Sequence, residues 1–122
     1  MAKIFVTGSA DGLGQLAAKE LVFLGHHVVL HARSETRAIE ARRGVPGAQG
    51  ALVGDLSSIK QTIQLAASAN EFGHFDAVIH NAGVYQVSAS QLSEDGFPML
   101  LAVNVFAPYI LTCLMHKPRR MI

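Results

Sequence analysis

The segment Thr7-Gly8-Ser9-Ala10-Asp11-Gly12-Leu13-Gly14 carries the first chemistry in the sequence. Glycines so closely spaced let the backbone take positive φ and let amide groups approach an anion with no Cβ in the way. The apolar run Lys3 to Thr7 precedes it, and a stretch of helical periodicity, Gly12 to Leu24, follows. The glycines therefore stand where a strand turns into a helix. A helix start offers unpaired N–H groups and the positive end of its dipole, a fit for a pyrophosphate. It is not a Walker loop, because Gln15 follows Gly14 and no Gly-Lys-Ser/Thr occurs. A glycine-rich turn with no ligand is the plain alternative.

Ala32, Arg33 and Ser34 stand about 20 residues past those glycines, where an NAD site would place a carboxylate for the ribose hydroxyls. An arginine with no acid beside it suits the 2′-phosphate of NADP(H), through charge-assisted hydrogen bonds. A solvated surface arginine is the alternative. Asn104 lies inside the uncharged stretch Met99 to Met115. Its amide needs partners in such surroundings, so a purely structural role is one reading. Pro108 has no N–H, so an α-helix here leaves the Asn104 carbonyl without its usual donor and able to hold a water. The histidines, His26, His27, His31, His74, His80 and His116, fall in separate elements without a ligand spacing, and no metal site is expected.

The elements that must position these residues follow from periodicity. Strand one, Lys3 to Thr7, leads to a helix over Gly12 to Leu24 with Leu13, Ala17, Leu21 and Leu24 on one face and Gln15 and Lys19 on the other. Gly25 ends that helix. Val28 to Ala32 is strand two, followed by a charged helix over Glu35 to Arg43 and a loop through Gly44, Pro46, Gly47 and Gly50. Ala51 to Val53 is strand three. Ser57 caps the next helix, with Ile59, Ile63 and Ala66 on a shared face. Ala77 to His80 is strand four, and after a connection over 84–97 the apolar helix starts near Pro98. Strands alternating with helices require parallel pairing and right-handed crossovers, so the fold class is a doubly wound α/β sheet. The chain's 122 residues, half of them hydrophobic and 16% charged, exclude disorder and suit one domain over 1–122. A net charge of +1 gives no reason to expect a nucleic-acid or membrane-surface partner. Met99 to Met115 is short for a membrane span and contains Asn104, Pro108 and Thr112, so a buried or interface helix is expected. The single cysteine, Cys113, cannot pair internally, which points to the reducing cytoplasm, and its place on the apolar helix suggests a packed thiol. Lys117, Arg119 and Arg120 read as a solvated helix end.

The glycine spacing T-G-x-x-x-G-x-G resembles that of the short-chain dehydrogenases/reductases, and three further motifs agree in order. Gly54-Asp55-Leu56 is similar to the family's aspartate after strand three, His80-Asn81-Ala82-Gly83 to its Asn-Asn-Ala-Gly, and Asp95-Gly96-Phe97 with Val103-Asn104-Val105 to the approach to its catalytic asparagine. The resemblance implies a Rossmann-type sheet ordered 3-2-1-4 that reaches the start of a fifth strand at Arg119 to Ile122. It implies an NADP(H) site drawn from Gly8, Ser9, Asp11, Gly12, Leu13, Gly14, Arg33, Ser34, Asp55, Leu56, Asn81, Ala82 and Gly83, with Asp55 at the adenine. Asn104 would hold the water of a proton relay. It further implies hydride transfer between nicotinamide and a small carbonyl or alcohol substrate, and pairing of copies through the helix 99–115. The family's catalytic serine and Tyr-x-x-x-Lys have no counterpart here: Ala89 and Cys113 stand four places after Tyr85 and Tyr109, the only tyrosines. These 122 residues are thus expected to bind cofactor without turnover, with strand four as an exposed apolar edge. Three readings stay open: the nucleotide half of such a reductase, a non-catalytic NADP(H)-binding module, and another α/β protein with an accidental glycine turn.

Overall fold

Ile4, Phe5 and Val6 point alternately to the two faces of a sheet, and both faces are covered, which explains why the strands are apolar throughout. The computed structural model describes residues 1–122. Its order is β1 (Lys3–Val6), α1 (Gly12–Phe23), β2 (His27–Ala32), α2 (Glu35–Gly44), β3 (Gly50–Val53), α3 (Ile59–Phe72) and β4 (Ala77–Ile79). The last helix, α4, runs from Met99–Leu101 through a π-helical stretch, Ala102–Phe106, into Ala107–Leu114, and β5 (Arg120–Met121) follows. All strand pairs are parallel, in the order β3-β2-β1-β4-β5. Phe5, Val29 and Val78 meet α3 and α4 on one face, with Leu65, Ala69, Val103 and Leu111. Ile4, Val6, Val28 and Leu30 meet Ala18 of α1 and Ala41 of α2 on the other. Each large apolar side chain so buried contributes about 1.5–3 kcal/mol.

The doubly wound architecture is as expected, and several details differ. Helix α1 rests on the sheet through Gly14 and Ala18, so Leu13 and Leu24 face outward; two small residues allow a closer approach than leucines would. Gln15 is not on a solvated face: its amide donates to the Ala10 carbonyl and packs where Gly44 ends α2. The α1 terminus closes as predicted, with Gly25 N–H bonded to the Val22 carbonyl and His26 N–H to Leu21. Ser58, not Ser57, caps α3 by accepting from Gln61 N–H at 3.2 Å, because Ser57 is turned toward Asp55. That one-place shift buries Thr62, Leu65, Ala66 and Ala69 and leaves Ile63 exposed. Strand four is not an edge. Arg120 and Met121 pair with Ala77 and Val78, and His80 N–H donates to the Ile122 carbonyl at 2.7 Å. Cys113 is an exposed free thiol, on the side of α4 opposite Ala107 and Leu111. No helix is long and apolar enough to cross a membrane.

Candidate functional site

Parallel strands that all end on one side leave a crevice at their carboxyl ends, beside the point where the chain reverses its winding direction. Here that point lies between β1 and β4, and Thr7 ties the two together. Its Oγ1 accepts from the N–H groups of Asn81 and Ala82, both at 3.0 Å. Its own N–H donates to the Ile79 carbonyl at 3.0 Å. Gly8 turns away with φ +63, and a Cβ there would strike Ala82, so the turn lies flat against the segment leaving β4. Gly14 closes the other side. A Cβ on it would fall inside contact distance of the Gly8 carbonyl and the Asn81 amide, which itself donates to that carbonyl at 3.1 Å. Gly12, at φ +57, borders open space. The turn's three glycines thus divide their work between packing (Gly8, Gly14) and an open surface (Gly12).

The start of α1 is uncapped. Asp11 occupies the N-cap position, yet its side chain makes no cap bond. The amides of Gly12, Leu13 and Gly14 find no acceptor in the chain. Asp11 is drawn aside by Arg37, whose guanidinium lies 2.6 Å from the Asp11 carboxylate and 2.7 Å from that of Glu40. These two carboxylates, Asp11 first, raise the already high pKa of Arg37. The carboxylate that would fill the helix start is therefore held elsewhere, and of the free donors Gly12 and Leu13 line the cleft. That donor set fits an anionic phosphate group.

The cleft over this turn measures about 730 Å³, within the range of small-molecule sites. Of the residues expected at a dinucleotide, it is lined by Gly8, Asp11, Gly12, Leu13, Arg33, Asp55, Leu56, Asn81, Ala82 and Gly83. Arg33 has no carboxylate partner, in contrast to Arg37. Asp55 Oδ1 accepts from both the N–H and the hydroxyl of Ser57. Four expected residues are not part of the lining. Ser9 is fully buried, donates to the Val6 carbonyl and accepts from His31 N–H. Gly14 is the packing glycine, and Ser34 caps α2 by accepting from Arg37 N–H. Asn104 grips the backbone of Val84 twice, accepting from its N–H at 2.8 Å and donating to its carbonyl at 2.7 Å. The helix around Asn104 is π-wound, with Ala107 N–H bonded to the Ala102 carbonyl, where the sequence suggested an α-helix interrupted at Pro108. A π segment is a common mark of a functional position.

Sequence reasoning missed Thr7 as a tie, Arg37 and His31. His31 alternates with Val29 onto the α3 side of β2, and a polar residue at the carboxyl end of a buried strand was the available signal. Asp95 lies at the approach to α4 as expected, and its carboxylate also accepts from Ile59 N–H at the start of α3 at 2.9 Å, which fastens the 84–97 connection to that helix. A second cleft of about 900 Å³ lies beside β4 and β5, lined by groups such as Ile4, Leu21 and Ile79, and it has no free helix start.

Known proteins resemble this chain in sequence and in fold. Residues 2–119 match the family described as short chain dehydrogenase. An uncharacterized oxidoreductase of Emericella nidulans is 58% identical over 121 residues, covering 98% of this chain and 48% of its own length. A structure of a Mycobacterium paratuberculosis protein superposes with TM-score 0.83 at 27% identity, covering 94% of this chain and 41% of that one. A short-chain dehydrogenase from Sphingobium yanoikuyae, in complex with NADPH, superposes with TM-score 0.73 at 26% identity over 93% of this chain and 47% of that one. The chain spans about half the length of curated relatives that it matches. The glycine turn, the sheet order and a match over nearly every residue agree, and the chain belongs to the short-chain dehydrogenase family.

Proposed function

We propose that the cleft over the β1–α1 turn holds the adenosine and pyrophosphate of NADP(H), and that the protein serves hydride transfer between nicotinamide and a small carbonyl or alcohol substrate. The uncapped start of α1 is the observation that carries this reading: its free amides would bind the pyrophosphate. Arg33, cationic and without a carboxylate partner, would take the 2′-phosphate. Asp55 and Leu56 would bound the adenine, and Asn81, Ala82 and Gly83 would floor the ribose side. The NADPH complex of the Sphingobium yanoikuyae relative supports the phosphorylated form. The bound nicotinamide would supply or accept the hydride. Asn104, its side chain engaged by Val84, would act in a proton relay through a water on its main-chain carbonyl. A Tyr-x-x-x-Lys proton donor is not among these residues. A reducing cytoplasm suits the free thiol of Cys113.

Direct titration tests the assignment of Arg33. A lost charge-assisted contact of about 1.5–3 kcal/mol is roughly ten- to a hundred-fold in affinity. NADPH should bind more tightly than NADH by about that factor, and Arg33→Ala should remove the difference. An unchanged ratio in the variant would overturn the NADP(H) assignment.

A further inference from the structure

His31 is 3% exposed and uses both ring nitrogens across chain segments that the cofactor reading places at opposite ends of the adenosine half. The Gly8 N–H donates to Nδ1 at 2.9 Å. Nε2 lies 2.8 Å from the Gly54 carbonyl. An N–H donor facing Nδ1 and a carbonyl facing Nε2 admit one arrangement: a neutral ring with its proton on Nε2. The ring meets Phe5 edge-on, with centroids 6.5 Å apart, and its own backbone N–H is held by Ser9 Oγ at 2.9 Å. His31 therefore joins the glycine turn, β2 and the exit of β3.

We propose that neutral His31 is a positioning residue for the cofactor, holding the Gly8 amide of the phosphate-side turn in register with the Gly54–Asp55 turn on the adenosine side, and that protonating it releases the Gly8 contact and weakens binding. The proposal rests on the cofactor reading given above. A proton on Nδ1 would set two donors against each other at Gly8, while the Gly54 bond would survive. The strain falls on the residue whose positive φ starts the turn. Charged groups around the same cleft are Asp55 from the β3 exit, Asp11 from the turn, Arg33 from the β2 exit and Arg37 from α2. Burial lowers the ring's pKa, and the Gly54 bond and then the Asp55 charge oppose that shift in part. The folded state thus favours the neutral ring. Protons bind the unfolded chain more readily, so this contribution to stability is complete above about pH 6.5 and declines as pH falls below it toward the lowered folded value.

The test is the pH dependence of NADPH affinity in the unmodified protein and in His31→Gln, whose amide can accept from Gly8 and donate to Gly54 without titrating. The ligand's 2′-phosphate titrates near pH 6, at about the second phosphate pKa, and the ratio of the two proteins' affinities cancels that contribution. At about pH 8 the two should bind alike; as pH falls below about 6.5 toward the ring's lowered value, the unmodified protein should weaken progressively against the variant, by up to about tenfold once the ring is protonated, the worth of one lost hydrogen bond. A ratio that stays constant with pH overturns the proposal. If NADPH binds neither protein at any pH, the cofactor reading has failed, and NMR of the unliganded, unmodified protein decides the tie itself. The Gly8 amide resonance should follow the titration of the His31 ring; a Gly8 resonance indifferent to that titration overturns the tie. That measurement also decides the matter if His31→Gln does not fold.

Discussion

Gly14 shows at the residue scale how one atom decides the shape of the turn. Inside a helix an alanine is worth about 1 kcal/mol more than a glycine, so propensity alone makes Gly14→Ala stabilising. The new methyl would meet the Gly8 carbonyl and the Asn81 amide, both fixed by hydrogen bonds. Overpacking of that kind costs typically about 1–3 kcal/mol, and it outweighs the helical gain. Gly14→Ala should therefore lower the urea midpoint and weaken NADPH binding; a raised midpoint would contradict the close approach. The same scale explains Asp11. A carboxylate at an N-cap ordinarily occupies the helix start, and only its diversion to Arg37 leaves those amides free. Arg37 was invisible to sequence reasoning because it lies on another helix, and its partner choice is set by tertiary packing.

Helix α4 carries the argument at the scale of the element. The sequence revealed an asparagine and a proline inside an apolar stretch, and a conflict between them and ordinary α-winding. It did not reveal the resolution, because the partner of Asn104 is the backbone of Val84, on a connection with no periodicity to read. The π stretch Ala102–Phe106 lies between two α-helical segments, with Ala102, Val103, Ala107 and Leu111 on the core. Leu100, Leu101, Val105, Tyr109 and Leu114 are left exposed on the other side. Covering large apolar groups gains about 1.5–3 kcal/mol for each one fully buried, and such a patch is typical of an interaction surface. Copies of the chain should associate through this face. Sedimentation at micromolar concentration should show a dimer or larger species, and Val105→Glu with Tyr109→Glu should shift it to monomer. A monomeric unmodified protein would contradict this use of α4.

For the whole molecule, sheet order and connectivity were legible because each strand is a short apolar run bounded by turn residues, and parallel pairing leaves few topologies. Facing was less legible. Leucines at helical spacing suggested the inner side of α1, yet Gly14 and Ala18 are the residues that let it settle on the sheet. The candidate site was legible as a set of backbone turns, since glycine spacing reports backbone conformation directly. Its side-chain ties, Thr7 to the β4 exit and His31 between two turns, join residues distant in sequence and emerged only in three dimensions. The central claim is that the free amides at the start of α1 bind the phosphates of NADP(H). Titrating NADPH into isotope-labelled protein, with the amide resonances of Gly12 and Leu13 followed by NMR, tests it most directly. The account predicts that these amides shift most, saturably, together with the Arg33 guanidinium. Saturable shifts confined to the second cleft beside β4 and β5, or no shifts at millimolar NADPH, would contradict it.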